Sequence, residues 1–542
     1  MRHEKYRNYI LQNVPRLLSQ LDRDKNSLTY GCFDRNHWHY KIRDFSSIVL
    51  QQGTLALALL YSNNFEGNIY HLNPKIKEWI IASLDYWGEV QLRDGSFNEY
   101  WPNEHGYPPT VFSLFSTSES IRLLEKNMPI DRFNDLKERI LKSCKFISEH
   151  DEIGAQNQEI ASIAALYSSY LVTGEEWLWE AVDRKVVTVL SRQSKEGWFS
   201  EYGSADIGYL SVSLSFLAEY YRMSDDKRVL PALHGIINFL QYFVHPDGTA
   251  GGEYGSRNTE YFLVNGLEIL APEYPLAGAI ADKLSILLEE QYKLPDSVDD
   301  RYLSHYFLHT YISALLHYRS IESHRTLPCD IETHEKYFEE AKIYVRKSKD
   351  YYAIFSLLKG VIKVYREEKE LLNDCGYLAE LTGKRAVTNW VNDTCDIWIK
   401  GDSYKISGHF HMAPRQIIPS VLTHIILRVN SFIFGKSLIP ILKKQLITKE
   451  STVPIFFQRT VTFSETAITI EDVITANSTI SKLSTVDAFS LRYVPSSKYF
   501  QSKEIDRIHF NKEYTNIKEI VITKELDAIN RLFKEEGHIT KA

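Results

Sequence analysis

The sequence predicts a multidomain α+β chain: an N-terminal (α/α) toroid of helical hairpins over residues 1–380, followed by a C-terminal antiparallel β-sandwich over 381–542. Three observations carry that prediction. Apolar residues recur at helical spacing through the first two thirds, polar glycine-containing loops recur at one end of successive helix pairs, and near Val387 the period switches from helical to alternating. At 542 residues the chain holds ample apolar material for more than one core.

Residues 1–30 read as a helix, with Ile10, Val14, Leu17, Leu18 and Leu21 on one stripe. A polar-aromatic loop from Tyr30 to Tyr40 then leads into a buried helix over 45–61. The same order repeats. Helix 75–90 leads to the loop Gln91 to Trp101, and beyond Pro108 and Pro109 a helix runs from Thr110 to Lys126. Helix 134–149 leads to Ile153–Gln158 and a helix faced with Ala161, Ala164 and Ala165; helix 176–192 leads to Glu196–Tyr209; helix 228–244 leads to His245–Gly255. Gly95 to Gly197 is 102 residues and Gly197 to Gly248 is 51, so one hairpin occupies about 50 residues. Three loops share an acid-Gly step followed by Glu-aromatic: Asp94-Gly95 with Glu99-Tyr100, Glu196-Gly197 with Glu201-Tyr202, and Asp247-Gly248 with Glu253-Tyr254. Hairpins with their loops at one end, closed into a ring, gather those loops around one mouth.

Helical patterning continues over 277–292, 301–320 and 333–372. Strand alternation then appears in Asp396–Lys400, Tyr404–Gly408, Arg459–Phe463 and Ala467–Ile474, with 413–446 an irregular or partly helical insertion.

Composition narrows the function. Net charge is −7, from 63 Lys and Arg against 70 Asp and Glu, with no basic block, so nucleic acid is not an expected partner. The chain shows no continuous apolar run of spanning length, so no membrane span is predicted, and Met1–Gln20 lacks the apolar core of an export signal, so a cytoplasmic location is expected. Five scattered cysteines without a CxxC pair read as free thiols, and neither a metal site nor a cofactor motif is expected. The 34 Tyr and 9 Trp fit either an aromatic core or a sugar-lined cleft.

A helical toroid feeding a β-sandwich without a cofactor motif is an arrangement of carbohydrate-active enzymes. Here the chain resembles the heparinase II/III-like polysaccharide lyases and related uronate epimerases. The resemblance is carried by Gln156-Asn157-Gln158 with its small-residue helix and closing Thr173-Gly174-Glu175, similar to the family's Asn-Asn-His helix, and by Glu196-Gly197 with Glu201 and Tyr209, similar to its Asp-Gly, Glu and catalytic Tyr. It implies an acidic glycan substrate and removal of the C5 proton of a uronate, leading to β-elimination or epimerisation. Catalysis is then expected from Tyr209, Asn157 and His105. An amide such as Asn157 offsets the carboxylate's charge as the proton leaves, and a Tyr or His exchanges that proton. Substrate contacts are expected from Arg257, Glu201, Tyr254, Trp101, Trp198, His245 and His409. Gln158 stands where the family pattern has histidine, so that position cannot act as a base, and His105, His245 or His409 would have to replace it, with nothing in the sequence choosing among them.

Each residue also has a plainer reading: Asn157 as a helix cap, Tyr209 as a core tyrosine, Glu201 as a loop tie, and His305 with His309 as core or surface histidines. The pair His409 and His411 reads better as docking of the sandwich than as a metal site. Three other functions remain open: a glycoside hydrolase using two of Asp94, Glu99, Glu201, Asp206 and Glu253, a terpene-cyclase-like toroid, and a non-catalytic glycan-binding protein.

Overall fold

The computed structural model describes the chain except for residues 125–127, 290–293, 321–324, 391–394, 414–417, 444–450, 487–496, 502, 507–511 and 542. Helices fill the N-terminal part and strands take over from His334. Helices Gly53–Ser62, Tyr107–Leu124, Gln156–Thr173, Ile207–Ser224, Asn265–Leu270 and Leu308–His317 each pack on the next, and the last packs back on the first. The cycle is closed. Its members are apolar or small-residue on nearly every side, as in GTLALALLYS, and are buried on nearly every side. Around them run Arg2–Gln20, Pro74–Glu89, Ile130–Ser148, Glu176–Ser191, Leu230–Leu240 and Pro275–Leu284, each packed on a member of the cycle. Ile130–Ser148 buries only the stripe Leu136, Ile140, Ser143, Cys144, Phe146 and Ile147. All-round against one-sided apolarity is what sorts helices into inner and outer layers. The helix expected to reach Lys126 is described to Leu124, and the last residues of the expected helix 277–292 likewise lie outside the described residues.

The loop repeat has a mechanical cause. Gln193 donates its amide to Gly197 O and Ala232 O, both at 2.9 Å, and Gln91 donates to Arg139 O at 2.8 Å and to Ser143 Oγ at 2.8 Å. Gly95 and Gly197 take positive φ (88° and 98°). A Cβ at either would collide with the carbonyl of Lys142 or Gly235 on the neighbouring outer helix. Glutamine followed four residues later by glycine is thus a clamp between one hairpin's loop and the next outer helix.

The first sheet is antiparallel in the order β1 (His334–Phe338), β2 (Ile343–Lys347), β3 (Tyr352–Ser356), β4 (Val361–Arg366) and β5 (Lys369–Asp374). These strands correct the helical reading of 333–372, and they lie N-terminal to the boundary expected at 380. Ile343, Val345, Tyr352, Ile354, Val361 and Tyr365 join the helical core, whereas Tyr344, Ala353, Phe355, Ile362 and Val364 join a second core against the other sheet. Strands buried on both faces lose polar alternation, so periodicity cannot tell them from a buried helix.

The second sheet contains β6 (Tyr377–Leu381), β7 (Lys384–Val387), β8 (Asp396–Lys400), β9 (Ser403–Met412), β10 (Thr452–Phe463), β11 (Ala467–Thr485), β12 (Glu513–Asp527) and β13 (Leu532–Lys541). Its path runs β10-β9-β7-β6-β11-β12-β13, and β10 also pairs with β11, which makes part of the sheet barrel-like. Inside it Arg459 and Lys524 neutralise Asp374 and Asp472, all fully enclosed. Between β9 and β10 the expected insertion contains helices Val421–Phe434 and Leu438–Lys443; residues 414–417 and 444–446 of it lie outside the described residues.

Candidate active site

A cavity of about 650 Å³ opens at the loop end of the inner helices, beneath the insertion. Asp206 builds one wall. It caps helix Ile207–Ser224 by accepting from Tyr209 N at 3.1 Å, and its other oxygen accepts from Arg257 N at 2.9 Å. Thr259 donates its hydroxyl to the same carboxylate. One buried side chain therefore sets both Tyr209 and Arg257, 48 residues apart in sequence, on the cavity. Burial pushes Asp206 up to about 6 against the pull of these donors.

The guanidinium of Arg257 lies 4.2 Å over the ring of Tyr202, and its buried Nη1 has no hydrogen-bond partner. A buried cation with an open N–H on a cavity wall suits a carboxylate. Tyr202 itself holds a left-handed backbone (φ 54°), as do Asn103 (57°) and His105 (54°) on the neighbouring loop. Such strain in bulky residues gathers at functional sites.

Helix Gln156–Thr173 starts on Ala155, which offers no cap of its own. Glu201 supplies it from the next hairpin, accepting from Asn157 N at 2.7 Å and from Asn157 Nδ2 at 2.8 Å. The amide of Asn157 is thereby held at the cavity with its second N–H uncommitted to Glu201. Burial pushes the carboxyl of Glu201 up to about 8, opposed by those two bonds. Gln158 also faces the cavity, with Oε1 buried and unpartnered.

On the opposite loop His105 Nδ1 meets Asp94 Oδ2 at 2.7 Å and Ser96 Oγ at 3.0 Å. Burial raises Asp94, but the bonds from His105 and Ser96 outweigh it and hold the carboxyl at about 2. Asp94 thus orients the imidazole as the third member of a triad would. Trp101 lines the same cavity.

The structure therefore brings Tyr209, Asn157, His105, Arg257 and Trp101 around one space, with Glu201 directly behind Asn157. Four expected contacts lie elsewhere. Trp198 donates to Glu196, whose carboxylate accepts from the backbone of Glu340 and Ala341, so this loop docks on the first sheet. His245 is wholly buried between Thr249 Oγ1 (2.7 Å), Tyr254 OH (2.9 Å) and Tyr365 OH (2.9 Å), which removes both His245 and Tyr254 from the cavity wall. His409 is exposed on β9 against Phe456. The loop repeat places Trp198, His245 and Tyr254 at the mouth; the first sheet, packed against that side of the helices, takes these three instead.

The sequence does not single out Glu104, Tyr302 or Tyr306, and it offers Glu99 and His305 only in other roles. Glu104 accepts from Glu99 N (2.6 Å) and Tyr100 N (2.8 Å), and burial beside Glu99 pushes it up to about 8. Glu99 pairs with Arg301. His305 and Tyr306 come from a π-helical turn, Leu303–Phe307, Tyr302 ends the short helix just before it, and His305 stacks on Tyr306 at 3.6 Å. His305 and His309 are both buried, and burial drives both imidazoles towards the neutral form. Among the described residues no group of three or more His, Cys, Asp or Glu is arranged to hold a metal ion.

Residues 75–264 match the family model of the ulvan lyase N-terminal domain. Among solved structures, the chondroitin AC lyase of Streptomyces coelicolor A3 in complex with chondroitin sulphate aligns at 11% identity and a TM-score of 0.56, covering 90% of this chain and 67% of the lyase. A tyrosine-to-alanine variant of that lyase aligns at 10% identity and a TM-score of 0.52, with the same coverage. Comparison with curated protein sequences returns no significant match.

Proposed function

We propose that this chain, whose residues 75–264 match the ulvan lyase N-terminal domain and whose fold is similar to that of a chondroitin AC lyase, is a distant polysaccharide lyase-like protein that acts on a uronate-containing poly- or oligosaccharide by abstracting the C5 proton. The closed cycle of inner helices is read as an (α/α) toroid and the paired sheets as a modified β-sandwich. One observation carries the chemistry. Asn157, held by Glu201, and Arg257, with an open buried N–H, stand on the same cavity as Tyr209 and the Asp94-oriented His105.

Asn157 and Arg257 bind the uronate carboxylate and stabilise the charge that grows on it as C5 is deprotonated. His105 takes the proton and Tyr209 donates one to the departing O4, so that the C4–O bond breaks and a C4–C5 double bond forms. Returning a proton to C5 from the opposite face gives epimerisation with the same residues. Glycoside hydrolysis is less well served. Glu201, Asp206 and Glu253 are engaged by Asn157, by the helix cap and by Lys359, and Asp94 by His105. Glu99 and Glu104 share one loop rather than flanking a bond.

Incubation with a panel of uronate glycans, following ultraviolet absorbance of unsaturated uronate and deuterium uptake at C5, tests the proposal. Release of reducing ends with neither signal would replace it with hydrolysis.

A further inference from the structure

The insertion between β9 and β10 presents a surface that neither core explains. In helix Val421–Phe434 only Ser431 is buried, its hydroxyl donating to the carbonyls of Pro102 and Asn103. Leu422, Ile425, Phe432 and Ile433 are 65%, 53%, 79% and 64% exposed. Over Val421–Leu442 mean hydropathy reaches 1.6, and little of the segment is buried. Leaving such a surface in water is costly unless something apolar covers it.

Charge indicates what that cover is. The chain as a whole carries −7, yet residues 403–449 contain seven Lys and Arg and no Asp or Glu. Whole-chain charge hides this; within the apolar run Arg428 pairs with Asp44 at 2.6 Å and Lys436 lies 3.0 Å from His150 Nε2, so the lysines just beyond the run, Lys443, Lys444 and Lys449, carry the charge offered to a partner. A second copy of this acidic chain would also attract these cations, and the light-scattering arm below separates it from the lipid. An anionic lipid surface meets both features, because acyl chains take the apolar side chains while headgroups attract the cations. By length and apolarity Val421–Leu442 suffices to cross a bilayer, but its geometry favours lying along the surface. Its 14-residue helix is about 21 Å long, short of a bilayer core, and the chain bends at Gly435 before the next short helix.

We infer that the 418–442 hairpin docks this protein on an anionic membrane surface as an interfacial anchor. Lys436, Ile439, Pro440 and Leu442 of the same hairpin line the cavity, so docking sets the cavity mouth beside the bilayer. The inference stands independently of the reaction proposed above.

Co-sedimentation of the full chain with vesicles of phosphatidylglycerol and phosphatidylcholine, against phosphatidylcholine alone, tests it. Binding is expected only with the anionic lipid, weakening as salt rises, and falling by about tenfold or more in Leu422→Ser/Phe432→Ser/Ile433→Ser. The thermal midpoint of that variant is expected to match the wild type, and single Phe432→Ser serves as a milder form. Absence of binding to anionic vesicles overturns the inference. So does a wild-type dimer, seen by light scattering, that the triple variant converts to monomer without any vesicle binding.

Discussion

Tyr209 and Tyr202 border the same cavity, but loss of each hydroxyl has a different consequence. Tyr209→Phe is expected to lower turnover about 10²–10⁴-fold with the thermal midpoint unchanged, measured as unsaturated product per enzyme. Tyr202→Phe keeps the ring beneath Arg257 and is expected to be mild. Tyr202→Leu removes that ring, worth about 0.5–2 kcal/mol of cation positioning, and is expected to raise KM for a carboxylated substrate more than it lowers kcat.

Glu201 carries a pH signature. Its folded value of about 8 lies above the ordinary 4.5, so between these values the folded protein holds a proton that the unfolded chain has released. Stability from this group is therefore full below about 4.5 and is lost as pH rises towards about 8. Thermal midpoints of Glu201→Gln followed across that range are expected to fall less steeply than those of the wild type. Glu104 and Asp206 shift in the same direction, so a residual slope remains.

At the scale of elements, the hairpin clamp is an architectural device that also brings the site loops into place. Gly197→Ala forces a Cβ into the carbonyl of Gly235 at a left-handed φ, a loss expected at about 1–3 kcal/mol or more in chemical denaturation. Gln193→Ala leaves two carbonyls without their donor and is expected to cost about 1–3 kcal/mol while kcat is retained. The spacing of these loops was legible because an acid-Gly step recurs at a fixed place in three of them, two of which also carry the clamping glutamine. What the spacing could not separate was clamp from chemistry. Glu196 and Trp198 share their motif with Glu201, yet they dock on the first sheet while Glu201 holds Asn157.

For the whole molecule, β2–β4 form a middle layer buried on both faces. Lys359 reaches from that layer to Glu253 Oε1 at 2.6 Å, both side chains 1% exposed. Lys359→Met would strand that carboxylate, and a loss of about 3–5 kcal/mol is expected in denaturant titration. A fragment ending at residue 333 would expose the face that Val345, Ile354 and Tyr365 cover, and is expected to be aggregation-prone by light scattering.

The sequence by itself determined the hairpin repeat, the end at which its polar loops gather, and the candidates Tyr209, Asn157, His105 and Arg257. The repeat rests on local signals, a helical period and glycines at fixed spacing, whereas Tyr209 and Asn157 were offered by the family resemblance. Only the tertiary structure decided that 334–374 is sheet, because burial on both faces erases alternation. It also decided that His245 and Tyr254 are core, and that Glu99, Glu104, Tyr302 and Tyr306 share the cavity. Those outcomes depend on which surfaces meet, and a residue's neighbours across an interface leave no period in its own stretch of chain.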